Sequence, residues 1–161
     1  MRDFAGTSQL ASLPRPARLL YSVFALLSGL GVMSCGFLYD EIVQFQARAT
    51  PADLHQRLAA HYQSVTHRAL LETMHAHLFS MPVLLLVAGH LFLLTSASSR
   101  IKVGLIATAS GATVLHILAP WLMRWAGDNP LVAVVFPLSG ALLLITYMIL
   151  LCVPVYAMWR H

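Results

Sequence analysis

Long apolar runs alternate with short polar segments along this chain. The runs cover residues 19–38, 78–95, 103–123 and 131–159. A helix needs about 20 apolar residues to cross the hydrocarbon core of a bilayer, and each run is near that length or longer. The pattern therefore predicts an all-α polytopic membrane protein, a single domain built as a bundle of four transmembrane helices. The last run is long enough to tilt or to project beyond the bilayer.

The polar segments are a tail, residues 1–18, and three connections, residues 39–77, 96–102 and 124–130. In the long first connection, Thr50 is predicted to cap a short helix, with Pro51 at its first position and Asp53 in its first turn. Leu54 and Leu58 share a face of that helix. We therefore expect an amphipathic helix over about residues 51–63, lying on the membrane surface.

Composition and charge predict how the helix bundle is oriented in the membrane. Hydrophobic residues make up 58% of the chain and charged residues only 10%, against roughly 25% charged in a soluble domain. Cytoplasmic flanks of membrane helices carry an excess of Lys and Arg. The tail, the 96–102 connection and the C-terminal end hold six of these residues, and the other two connections hold four. This bias predicts that both termini lie in the cytoplasm.

The basic character of the chain has the same explanation. A net charge of +4 serves topology and attracts anionic lipid. The sequence has no phosphate-cradling loop and no nucleic-acid-binding motif. We therefore expect the lipid bilayer as a partner and exclude nucleic acid.

Histidines carry the candidate chemistry. His75, His77, His90 and His116 lie in or beside the apolar runs. Ionisable groups at membrane depth are costly and mark ligands, proton relays or quinone contacts by default, although a hydrogen bond to a neighbouring helix is also open. His75 and His77 point about 160° apart on a helix, so they do not chelate one metal from the same face.

One pair of these histidines has an architectural likeness to b-type cytochromes. His75 and His90 share a helix face about 22 Å apart along the axis. One helix of a dihaem cytochrome ligates two haems with such a spacing. A second helix with two matching histidines is missing here, since the third run supplies only His116.

His116 is predicted to lie in a pocket of small side chains. Its helix face carries Ala109, Ala112, Thr113, Ala119 and Pro120. Folding the second and third runs against each other makes His75 and His77 the nearest histidines. We predict that His116 and His77, with His75 as the next choice, ligate the iron of one haem b, while His90 serves a second cofactor, a quinone or a helix contact. A backbone carbonyl or Thr113 is expected to accept from the other ring nitrogen of His116.

Small residues also recur where helices are predicted to meet. They are Ser22, Gly29 and Gly36 in the first run, and Gly104 and Gly111 in the third. Small residues let membrane helices approach closely. The alternative is that they leave room for a flat cofactor.

Other chemistries have weaker support. Glu72 and His75 match the Glu-x-x-His of di-iron bundles, but the second copy and further carboxylates are missing. Few ionisable residues are available to line a polar path, which disfavours a transporter. Capture of copper or zinc by His75 or His77 with histidines of the first connection remains open.

The segment HAHLFSMPVLLLVAGHLF, with LHILAPWLMRW in the third run and RLLYSVF opening the first, resembles a family of small bacterial four-helix membrane proteins. The resemblance covers nearly the whole chain, and its most specific parts are the HxHxFSMP and GHLF segments. It implies the four-helix topology and draws attention to the four histidines without assigning a reaction.

Three functions follow as hypotheses. The first is a small electron-transfer subunit of a larger respiratory complex, which uses haem b or a quinone beside redox partners on the outer side. The second is a cofactor-free accessory subunit of a membrane complex. The third is a metal-handling membrane protein for copper or zinc. None of them requires the chain itself to be an enzyme.

Overall fold

The computed structural model describes residues 10–49, 53–127 and 129–160. These residues form five helices, α1 (Arg15–Ala49), α2 (Leu54–Ser64), α3 (His67–Leu93), α4 (Ser99–Ala126) and α5 (Pro130–Trp159). All except α2 are long and apolar enough to cross a membrane. The all-α fold class and the four predicted spans are therefore confirmed, and the chain is a multi-pass membrane protein.

The helices continue past the apolar runs that predicted them. α3 begins at His67, well before the run that starts at residue 78. Thr66 caps it, since its Oγ1 accepts a hydrogen bond of 3.2 Å from Ala69 N. Arg68 and Glu72 then form an i,i+4 ion pair at 2.7 Å on the exposed face. Local capping thus makes the polar segment before the second run helical.

α5 lies at the centre of the bundle. It packs against α1, α3 and α4, and Tyr147 at its middle is fully buried. The Tyr147 hydroxyl lies 3.1 Å from Thr113 Oγ1 of α4 and donates to Met81 O of α3 at 3.3 Å. The buried Tyr147 hydroxyl thus has polar contacts with both α3 and α4, and these contacts fix the depth of the two helices relative to α5.

Small residues of α1 make part of the contact with α5. Trp159 Nε1 donates to Ser22 Oγ at 2.9 Å, and a Cβ added at Gly29 would lie 4.0 Å from Met148 Sδ. A Cβ added at Gly36, by contrast, would meet no described atom within 4 Å, and the same holds for a Cβ added at Gly104 or Gly111 of α4. The predicted helix contacts are therefore present at Ser22 and Gly29, and the other three glycines face open space.

α2 packs onto one end of the bundle, which we call the α2 end. Leu58, Ala59 and Tyr62 are buried there, against a cluster that includes Met123 and Phe136. The helix predicted in the first connection is confirmed over Leu54–Ser64, and it packs against α1, α4 and α5.

The predicted start of α2 was wrong. Its N-cap is Asp53, not Thr50, because the helix begins at Leu54. Thr50 and Pro51 lie outside the described residues. At the other end, the Arg124 guanidinium of α4 donates to the carbonyls of Tyr62, Gln63 and Val65. The positive charge meets the free carbonyls at the C-terminus of α2, where it is favourable.

His61 makes the attachment of α2 dependent on pH. Its ring meets the Tyr62 ring edge to face, with centroids 4.9 Å apart, and burial lowers the pKa of His61 from 6.5. The folded state therefore binds fewer protons than the unfolded state, so α2 is most stable above pH 6.5 and loses stability as the pH falls through the lowered value.

Hydrogen exchange of the α2 amides, corrected for intrinsic rates, should accelerate below pH 6.5. His61→Gln should weaken this pH dependence, whereas His67→Gln, at an exposed position, should keep it. Identical pH profiles for the wild type and His61→Gln would contradict the assignment.

The orientation of the bundle can be tested at two exposed serines. Ser64 ends α2 and Ser98 precedes α4, so they lie at opposite ends of α3 and its connections. With Cys35 and Cys152 replaced by Ser, an impermeant maleimide added to intact cells should label Ser64→Cys, and should label Ser98→Cys only after permeabilisation. The reverse pattern would overturn the predicted orientation.

Candidate cofactor-binding site

His116 of α4 points at the first turns of α5. Its ring stacks on Phe136, with centroids 5.2 Å apart and planes inclined by 20°. Its Nδ1 lies 3.4 Å from Ser139 Oγ. A Cβ added at Gly140 would come within 3.3 Å of His116 Cε1, which is closer than side chains normally approach. Three neighbouring residues of α5 thus determine where this imidazole lies.

The expected partner of His116 was wrong. Thr113 Oγ1 donates to Ala109 O at 2.8 Å and meets the Tyr147 hydroxyl, so Ser139 takes the place predicted for Thr113. The pocket of small side chains is also mostly filled by packing, because Ala109, Ala112, Thr113 and Ala119 are buried. These small residues bring the neighbouring helices close to α4.

His77 lies on α3 and is half-buried. Its Nδ1 lies 2.8 Å from the carbonyl oxygen of Thr73, and its ring interacts with the Cys35 thiol of α1. Among the described residues, no hydrogen bond or ring contact joins His77 to His116, so their pairing stays a prediction.

Cys35 is a member of this cluster that the sequence did not identify. Its sulfur lies 3.6 Å from Gly31 O, one turn earlier in α1. Cys35 is near the end of the first apolar run and His77 just before the second, so an antiparallel pairing of those runs places them at similar depth. That signal was present, but the rotation of α1 about its axis was needed to turn Cys35 toward His77.

His75 and His90 lie away from this cluster. His75 is exposed, and its ring contacts exposed Phe79 at a centroid distance of 4.8 Å. His90 is exposed in the last turn of α3, at the opposite end of the bundle. The described contacts join neither residue to His116. The opposite directions predicted for His75 and His77 are consistent with these positions.

The described residues contain no group of three His, Cys, Asp or Glu side chains close enough to hold a metal ion. Glu72, which was considered for a di-iron motif, is paired with Arg68. The cluster therefore offers two imidazoles and a thiol from three helices as separate donors.

Each imidazole has one ring nitrogen besides Nδ1, and that of His77 faces the Cys35 thiol. In each ring Nδ1 contacts a protein oxygen, which leaves Nε2. Among the described side chains, Arg57 Nε is the buried nitrogen or oxygen atom that has no hydrogen-bond partner. His116 Nε2, which has no described hydrogen-bond partner, is consequently open to its surroundings.

A family model of a transmembrane helical domain matches residues 55–161. No curated protein and no solved structure matches the chain. The matched region includes His77, His116 and Ser139, whereas α1 with Cys35 precedes it. The matched domain thus contains both imidazoles and the α5 residues that contact one of them.

Proposed function

The chain belongs to the Aq_1264_TM family of transmembrane helical domains, and we propose that this integral membrane protein is an electron-transfer subunit of a larger redox complex. The proposed cofactor is haem b, with its iron between His77 and His116. A bacterial cytoplasmic membrane is the proposed location, with redox partners at the α2 end. His75 and His90 have no role in this site.

One observation carries the proposal. His77 and His116 lie on different membrane-spanning helices, and the Nδ1 of each lies within hydrogen-bond distance of a protein oxygen, at 2.8 Å and 3.4 Å. Histidines that bind metals almost always donate their other ring N–H in this way, because the bond orients the ring and makes the ligating nitrogen more basic. His77 and His116 have that arrangement before any ligand is considered.

The surroundings of the pair suit a flat cofactor. Gly31 lies one turn before Cys35 on the same face of α1, and Gly36 follows it directly. A Cβ added at either glycine would meet no described atom within 4 Å. A bound haem b would supply reversible one-electron chemistry at its iron. The chain itself would hold the ring through His77 and His116, and Phe136 and α2 would shield His116 from water.

A quinone is the other redox ligand that the same residues suit. Its head group would lie within hydrogen-bonding reach of one imidazole, and its apolar tail would lie among the exposed apolar side chains of α1 and α3. The electron-transfer function is the same, but the optical signature differs, because a quinone has no visible b-type bands.

The accessory-subunit alternative also has an observation in its favour. His116 already has a hydrogen-bond partner in Ser139, so it is not left unpaired without a cofactor. Gly104 and Gly111 present an open small-residue face on α4, which is the kind of surface that membrane helices use for close contact. The metal-handling alternative would instead use His75 or His77 with histidines of the first connection, since imidazole suits copper and zinc.

Spectroscopy of the purified protein separates these functions. Protein from haem-replete cells should show a visible b-type spectrum that changes on reduction with dithionite. Colourless protein that releases a quinone on solvent extraction would support the quinone alternative. Colourless protein without quinone would reject the proposal and favour the accessory subunit, and copper or zinc copurifying with the chain would favour metal handling.

A further inference from the structure

Ser139 controls the hydrogen bonding of His116. Its Oγ lies 2.9 Å from Phe136 O, one turn earlier in α5, and donates to that carbonyl. The same oxygen lies 3.4 Å from His116 Nδ1. A serine hydroxyl has one proton and two acceptor lone pairs. Because the shorter contact is to the carbonyl, the proton goes there, and Ser139 Oγ is left to accept from His116 Nδ1.

We infer that Ser139 is a positioning residue, which holds neutral His116 as the tautomer with its proton on Nδ1 and a bare electron pair on Nε2. Phe136 and Gly140 assist, because they fix the ring against α5 with Nδ1 toward the hydroxyl. The inference deepens the proposed function and rests on it for the identity of the ligand, although the tautomer itself follows from the hydrogen bonds.

His77 reaches the same state by a different route. A backbone carbonyl only accepts hydrogen bonds, so the 2.8 Å contact between Thr73 O and His77 Nδ1 requires the proton on Nδ1. The nitrogen left to face the Cys35 thiol is then Nε2, and a thiol is a weak donor. Both neutral imidazoles therefore present electron pairs.

The shared tautomer determines the class of ligand. Two unprotonated Nε2 atoms, that of His77 beside the weakly donating Cys35 thiol, bind an electron-pair acceptor such as haem iron, or a hydrogen-bond donor such as the hydroxyl of a quinol. They do not bind a group that only accepts, such as a carboxylate or the carbonyl of an oxidised quinone. Ser139 and the Thr73 carbonyl thus select the ligand without touching it.

Nuclear magnetic resonance of the haem-free, full-length chain tests the tautomer directly. With histidine labelled by ¹⁵N, the His116 signals should show a protonated Nδ1 and an unprotonated Nε2. Ser139→Ala should shift them toward the Nε2–H form or a mixture, and Ser139→Thr should restore the wild-type pattern. Ser110→Ala is the matched control, since Ser110 Oγ makes a similar bond within its own helix, to Ile106 O at 2.8 Å.

Haem titration of the same variants gives the functional readout. Loss of a hydrogen bond behind a metal ligand typically lowers metal affinity about 10- to 100-fold. We expect haem affinity to fall by that factor in Ser139→Ala and to recover in Ser139→Thr. Ser110→Ala should keep the wild-type affinity.

The nuclear magnetic resonance and haem titration experiments test the role of Ser139 and the proposed function separately. Wild-type His116 protonated on Nε2, or signals unchanged in Ser139→Ala, would overturn the role of Ser139 even if the protein binds haem. The expected signals in a protein that binds no haem would support the role of Ser139 and reject haem as the ligand.

Discussion

The variant His116→Ala should lose the reducible b-type spectrum. His116 is the imidazole held by three residues of α5, and alanine provides no nitrogen for the iron. If the proposed haem b is bound, we expect most of its absorbance to disappear from the purified variant, since His77 alone would remain to hold the group. The measurement is the difference spectrum between reduced and oxidised protein, normalised to protein concentration.

His90→Ala is the matched control for this experiment. It removes an exposed imidazole from the opposite end of the bundle, so it should leave the spectrum at wild-type intensity. Circular dichroism should show equal helix content in both variants, because neither residue is fully buried. A His116→Ala protein with an unchanged spectrum would show that the haem has other ligands.

The architecture could be predicted because it depends on a signal summed over many residues. An apolar run of membrane-spanning length specifies a helix whatever its contacts. The start of α3 was harder to place, because the segment before residue 78 is polar and its helix depends on the Thr66 cap and the pair of Arg68 and Glu72. The sequence alone does not show whether these local bonds form, so it does not distinguish a helix here from a surface loop.

The site could be predicted only in part, for a physical reason. A span that is apolar all round carries little information about which face meets which neighbour. The sequence predicts a pairing of His77 with His116 because they are polar residues at similar expected depth in adjacent antiparallel helices, and this pairing stays a prediction. Ser139 and Cys35 could not, because each enters the cluster through the rotation of a helix, α5 or α1, whose apolar residues fit several rotations equally well. Thr113, on the helix of His116 itself, was the nearer choice and proved to face Tyr147.

α2 is attached to the site through aromatic contacts. The Tyr62 ring meets the Phe136 ring at 5.2 Å with planes inclined by 64°, and Phe136 stacks on His116. Tyr39 of α1 meets the same Phe136 ring at 5.7 Å. Phe136 is therefore held between His116 and the elements at the α2 end, so α2 shields the histidine from water.

Leu58→Ala should release α2 from the bundle. Leu58 is fully buried in a cluster with Met123 and Phe136. Removing a buried leucine side chain costs about 2–5 kcal/mol. α2 is short and Leu58 is the most deeply buried of its described side chains, so this loss falls mainly on its local unfolding. Even the lower value should reduce the hydrogen-exchange protection of the α2 amides by a factor of roughly 30.

Leu71→Ala distinguishes lost packing from a general effect of truncating leucine. Leu71 is exposed on α3, so its replacement should change the protection of α2 by less than about threefold, as for surface substitutions. Protection that falls in α2 alone, with α4 and α5 unchanged, would locate the effect in the attachment of this helix. Equal protection of α2 in the wild type and Leu58→Ala would contradict the packing described at the α2 end. If α2 is released as expected, water gains access to Phe136 and His116 while the spanning helices stay folded.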